Sequence, residues 1–278
     1  MNQIKNNQIF SNTDFQNATG TIDYNMTNDY MFRAVLQKNN KVLKGLICAL
    51  LHLEVQEVVS VTITNPIILG DALRDKEFRL DINVVLNDNT YINLEMQIAN
   101  KLNWQNRSLS YLCRSYDQLH QGQDYSETKA VMNIGFLDYT LFPDYPEFYA
   151  TYKLMNEKNN HVYSDNFILH VIDLTQINLA TTEDRTYHIN YWATLFKAKT
   201  WEEIKMLAEK DDYLNEASKT MFQLSADEQI KKRCRDREEY YQDLRNYERV
   251  IAAKDSQITE LVSEVERLRT ELEALKKQ

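Results

Sequence analysis

The sequence predicts an α/β fold that ends in a coiled coil, and three observations carry that expectation. Between Phe78 and Ile98 apolar and polar residues alternate, the period of a strand pair with one face buried. Helix-like and strand-like segments follow one another through the first half, the order of a sheet with a helical crossover after its third strand. From Leu244 to Leu275 apolar residues recur in steps of three and four, a heptad seam.

Composition agrees. A chain of 278 residues with 43% hydrophobic content, 5 Gly and 3 Pro has a globular, helix-rich make-up and is not disordered. Its three cysteines, Cys48, Cys113 and Cys234, lack the spacing of a disulfide framework or a zinc site. No secretory signal and no apolar run of membrane-spanning length occurs, so cytoplasmic residence without a membrane partner is expected. A net charge of -9 argues against a surface coated in basic charge for bulk nucleic-acid binding, yet leaves room for a local phosphate site.

The elements are expected in this order. Residues 1–20 are polar and read as a flexible leader, with a core domain over 21–145, an α+β and helical extension over 146–226, and a helical linker with coiled coil over 227–278. Thr27 or Asn28 caps a first helix whose first turn holds Asp29 and whose apolar stripe is Phe32, Val35 and Leu36. A second helix carries Val42, Leu43, Leu46, Ile47, Leu50 and Leu51, and Val58 to Ile63 reads as a strand that Asn65-Pro66 closes.

The hairpin comes next. Leu80, Ile82, Val84, Leu86, Ile92, Leu94, Met96 and Ile98 are apolar and even-numbered, whereas Asp81, Asn83, Tyr91, Asn93, Glu95 and Gln97 are odd. Both apolar sets share one face only if the loop has an odd number of residues, and Asn87-Asp88-Asn89 fits. Asp81 then faces Glu95, with Gln97 further along the same face. Facing carboxylates repel. A cation between them would relieve that, and Mg2+ is commonly held by one or two carboxylates with waters and phosphate. The competing reading is the solvated face of an ordinary antiparallel sheet.

A helix is expected from about Asn103 to Gln121, stopped by Gly122, with Leu109, Leu112, Cys113, Tyr116 and Leu119 inward. Its other stripe, Arg107, Tyr111, Arg114 and Gln118, is either solvated or presents two guanidiniums to phosphate. Strands follow at Ala130 to Tyr139, Glu147 to Met155 and Phe167 to Leu174, and then amphipathic helices built on Trp192, Leu195, Phe196, Trp201, Ile204 and Leu207. In the tail, Ile251, Ile258 and Val265 occupy a positions and Leu261, Leu268 and Leu275 occupy d, a pattern that favours a parallel two-stranded coil. A homodimer through residues 244–275 is therefore expected. Lys254 at d interrupts the seam, and the basic run from Lys231 to Arg235 reads as an exposed helix face.

Three stretches carry a resemblance: Asn28-Asp29-Tyr30-Met31-Phe32-Arg33-Ala34-Val35-Leu36, Lys76-Glu77-Phe78-Arg79-Leu80-Asp81-Ile82 and Asn93-Leu94-Glu95-Met96-Gln97. Arg107, Tyr111 and Gln121-Gly122-Gln123-Asp124-Tyr125 continue it. In their order these resemble the Rpn family of recombination-promoting nucleases and putative transposases, within the PD-(D/E)XK nuclease superfamily. The resemblance implies an αβββαβ core, here with added strands and helices, and cleavage of DNA phosphodiesters with Mg2+ or, alternatively, Mn2+. It implies Asp81 and Glu95 as metal ligands, Asp29 as the helix acid completing the site, and Gln97 where the superfamily signature has lysine. Arg107 would orient the substrate or the site, with Tyr111 and Arg114 beside it on the DNA side. A glutamine cannot supply the lysine's charge, although its amide can orient water. The alternative function is a non-catalytic module on a nuclease-like fold that tethers partners or DNA and dimerises through its coil.

Overall fold

The computed structural model describes residues 12–67, 69, 81–117 and 124–276. Helices α1 (Asn12–Asn17), α2 (Asp29–Lys38) and α3 (Asn40–Leu51) precede the short strand β1 (Val61–Ile63) and the hairpin strands β2 (Ile82–Leu86) and β3 (Thr90–Gln97). Helix α4 (Trp104–Tyr116) leads to β4 (Ala130–Leu137), β5 (Tyr149–Lys153) and β6 (Phe167–Asp173). Helices α5 (Thr182–Thr186), α6 (Ile189–Lys197), α7 (Trp201–Ala208), α8 (Asp212–Ser225) and α9 (Glu228–Lys276) complete the chain.

All six strands form one mixed sheet in the order β1-β2-β3-β4-β6-β5. β1, β2 and β3 are antiparallel neighbours, β4 and β6 continue parallel to β3, and β5 is an antiparallel edge. The α/β architecture and the crossover after the third strand are thus as the sequence predicts. The hairpin register is too: Ile82 faces Leu94 and Val84 faces Ile92 across a turn at Asn87–Asn89. Asn87 and Asp88 take positive φ of 49° and 58°, a region these short polar side chains tolerate.

One face of the sheet holds the main core. Ile82, Val84, Ile92, Leu94, Ile134, Phe136 and Ile172 pack there with the apolar sides of α2, α3, α6, α7 and α8. Phe32, Phe136 and Phe196 meet edge to face, with ring centroids 5.2–5.5 Å apart. The other face is covered by α4, where Trp104, Leu137 and Val171 form a smaller cluster.

Several expectations need correction. The leader is not wholly flexible, since Asn12–Asn17 is helical and Phe15 is buried against Phe222, 5.8 Å between rings; residues 1–11 lie outside the described residues. The strand expected from Val58 starts only at Val61, because the Asn87 side chain takes the Val59 and Ser60 amides at 2.8 and 3.1 Å. The boundary at 145/146 is not structural: β5 and β6 extend the core sheet, and the compact unit runs through Cys234, with Arg235–Gln278 a second unit. Helix α4 buries Trp104, Ser108 and Leu112, while Leu109, Cys113 and Tyr116 are exposed. Its rotation is set by Trp104, whose ring packs so closely on Gly135 that a β-carbon there would clash with Trp104 Cζ2 and Cη2. Leu119, Gly122 and the rest of 118–123 lie outside the described residues, as do 76–80 of the second matching stretch and Gln118 of the stripe.

The tail is one helix of 49 residues. Ile251, Ile258, Leu261, Val265, Leu268 and Leu275 are 47–70% exposed along it. That unpartnered seam is the form a coiled-coil strand takes when seen alone.

Candidate active site

The site is built along the hairpin of β2 and β3, which side chains of α4 reach from its seat on β4 and β6. Continuing the hairpin register one residue beyond β2 sets Asp81 opposite Glu95, as the parity of the sequence predicts. The polar face is not solvated, however: Asn93, Glu95 and Gln97 are 7%, 3% and 5% exposed. Arg107 of α4 meets Glu95 and Gln97 there, and burial rules out the ordinary solvated face at these three residues. A buried carboxylate needs a partner. Glu95 Oε1 has one in Arg107, whose Nη2 forms a close ion pair with it.

Arg107 joins most of the predicted residues. Its Nη1 donates to Gln97 Oε1 at 3.4 Å, and its guanidinium lies 5.5 Å from the centre of the Tyr111 ring one turn on. Gln97 is fixed at its other end by Nε2 donating to Ala99 O at 2.8 Å. Burial works to lower the Arg107 pKa, but the charges of Glu95, Tyr111 and Asp81 outweigh it and leave it above its ordinary value. Arg107 therefore stays a cation, paired with Glu95. Beside it, burial and then the Glu95 charge raise the Tyr139 hydroxyl to about 12.

Asp81 is held through its backbone. Arg33 of α2, 1% exposed, donates from Nη1 to Asp81 O at 2.5 Å and from Nη2 to Asn65 O. Asn65 Nδ2 reaches the same Asp81 carbonyl at 3.0 Å, and its Oδ1 takes the Asn83 amide at 2.9 Å. Asp81 thus enters the hairpin pinned from one side, with its carboxylate on the α4 face.

The structure gathers Glu95, Gln97, Arg107 and Tyr111, and the hairpin register sets Asp81 opposite Glu95. It does not gather the rest. Asp29 is buried in the first turn of α2, one turn before Arg33, but among the described residues no three His, Cys, Asp or Glu side chains group to hold a metal ion. Arg114 is exposed in the last turn of α4, about two turns from Arg107. Two carboxylates remain as hard oxygen donors, enough for a Mg2+ or Mn2+ ion that keeps waters and substrate oxygens in its shell.

Sequence reasoning missed Arg33, Asn65, Tyr139 and the Trp104–Gly135 contact. Two left a signal: Arg33 is the one charge in the buried run Tyr30 to Leu36, and Gly135 is the one glycine of β4. A charge in a buried run needs acceptors, and a glycine in a strand marks a close approach.

The model of the PD-(D/E)XK nuclease family transposases matches residues 26–250. The match spans most of the chain, so the protein belongs to that family. No curated protein and no solved structure matches it.

Proposed function

We propose that this member of the PD-(D/E)XK nuclease transposases is a metal-dependent DNA endonuclease that hydrolyses phosphodiesters as a homodimer. The observation that supports it most is one sheet face that carries buried Glu95 and Gln97 beside half-buried Asp81 and meets half-buried Arg107 of α4. Asp81 and Glu95 are the ligands for Mg2+ or Mn2+. The ion would supply charge neutralisation at the phosphate and an activated water. Gln97, held between Ala99 and Arg107, fixes the guanidinium in place of offering a charge of its own. Arg107 brings the positive charge that the superfamily lysine would bring, backed by Tyr111. Asp29 supports the site from the start of α2, and Arg114 meets the DNA backbone further along α4.

The dimer places two such sites on one DNA, one for each strand, and the exposed heptad seam supports it. Light scattering is expected to give twice the chain mass for the whole protein and one chain mass for a form ending before Arg245. A shortened form that still shows twice its own chain mass would remove the coil as the dimer contact.

A second reading rests on the Arg107–Glu95 ion pair, which gives Glu95 Oε1 a partner without any metal. On that reading the fold is a non-catalytic DNA-tethering module. Nicking of supercoiled plasmid separates the two. Wild type is expected to nick with Mg2+ or Mn2+ and not in EDTA, and Asp81→Ala, still folded, is expected to lose at least ~100-fold of the rate. A folded wild type that never nicks favours the tethering module.

A further inference from the structure

Beside the carboxylates the polar face continues into a recess that none of the catalytic roles uses. It has a volume of about 140 Å³ and is lined by Thr64, Asn83, Tyr91, Asn93 and, from the last turn of α4, Ser115. Asn93 stands two residues before Glu95 on β3, hence on the same face and one pleat away, roughly 6.7 Å along the strand. Asn83 is its cross-strand partner, as Asp81 is that of Glu95. The face is a ladder, with a carboxylate rung, then an amide rung, then Tyr91.

The amide rung is unfinished. Asn93 is 7% exposed and its Nδ2 donates to Asn133 Oδ1 at 2.6 Å, while its own Oδ1 is buried with no partner. Asn133, 1% exposed, likewise has a buried Nδ2 with no partner. Interchanging oxygen and nitrogen on the amides leaves one acceptor and one donor over just the same. A buried amide without its bond costs stability, so such a group marks a place where something else completes the bonding. Among the described residues no charged side chain lines the recess, which argues against a phosphate. Amides, two hydroxyls and an aromatic ring suit a planar heterocycle with donors and acceptors on its edge.

Resting on the nuclease reading, we propose that this recess is a nucleobase subsite for the nucleotide next to the scissile phosphate. Asn93 reads the base edge, Asn133 fixes the Asn93 amide, and Asn83 closes the rung from β2. Lys129, whose Nζ lies 5.4 Å from the Tyr91 ring centre, meets the backbone beyond that base.

The test is fluorescence anisotropy on the full chain, with Ca2+ replacing Mg2+ to hold back cleavage. The probes are a short single-stranded oligodeoxynucleotide with bases and the same backbone made abasic. Wild type is expected to prefer the base-bearing strand roughly tenfold, the scale of one good amide–base pair. Asn93→Ala and Asn83→Ala are each expected to cut that preference to within about twofold, with abasic affinity unchanged. Asn83 is exposed and only its backbone is bonded, so its variant decides the matter where Asn93→Ala melts early. Equal binding of both probes by wild type, or an unchanged preference in both variants, overturns the subsite alone. Failure of wild type to bind either probe overturns the nuclease reading and the subsite with it.

Discussion

The two faces of the central sheet solve burial in opposite ways. On the core face a titratable group is kept neutral. His170 of β6 is 7% exposed, its Nδ1 lies 2.9 Å from the Tyr149 hydroxyl and 3.0 Å from that of Thr151, and burial, aided by His52 and Lys153, lowers its pKa to about 4. Tyr149 donates to Leu50 O at 2.5 Å, so it receives the Nδ1 proton and leaves Nε2 bare in a dry setting. On the α4 face charge is kept and matched, Glu95 against Arg107. A neutral imidazole serves packing, whereas a matched carboxylate stays ready to exchange its cation. The difference separates the face that holds the fold from the face that we assign to chemistry.

The largest expected effect sharpens the core side. The His170 pKa is depressed in the folded state, so its contribution is present above about 6.5, the unfolded value, and is lost as pH falls toward 4. The loss approaches roughly 3 kcal/mol, and urea titrations between pH 7 and 4 should show it. His170→Gln should flatten that part of the profile; an unchanged slope would show that other groups set it.

A smaller effect tests the other face. Gly135→Ala drives a β-carbon into Trp104, and such overpacking costs about 1–3 kcal/mol. Since Trp104 opens the helix that carries Arg107, the variant should also lose cleavage per folded molecule. Stability lost with activity per folded molecule intact would uncouple α4 docking from the site.

Much of this contrast was legible in the sequence. A strand has a side-chain period of two, so the parity of Leu80 to Ile98 fixed the hairpin register and with it the pairing of Asp81 and Glu95. That Asn93, Glu95 and Gln97 would be buried was not legible, because the seat of α4 beside them depends on Trp104 meeting a glycine 31 positions later. The same contact turned α4 away from the face that its leucines suggested. Arg33 and Asn65 act through backbone carbonyls, which leave no trace in side-chain patterning. Asp29 was legible as a helix-start acid, but periodicity cannot say which distant strand such an acid will approach.

The central claim is that the Asp81–Glu95 pair takes a divalent cation. Calorimetric titration of Mn2+ into the full chain, wild type against Glu95→Gln, tests it most directly. Binding by wild type, weakened at least ~10-fold in a variant that is still folded at the titration temperature, is the expected result. Equal binding by both proteins would contradict it, and the ion pair with Arg107 would then be the end state of that carboxylate.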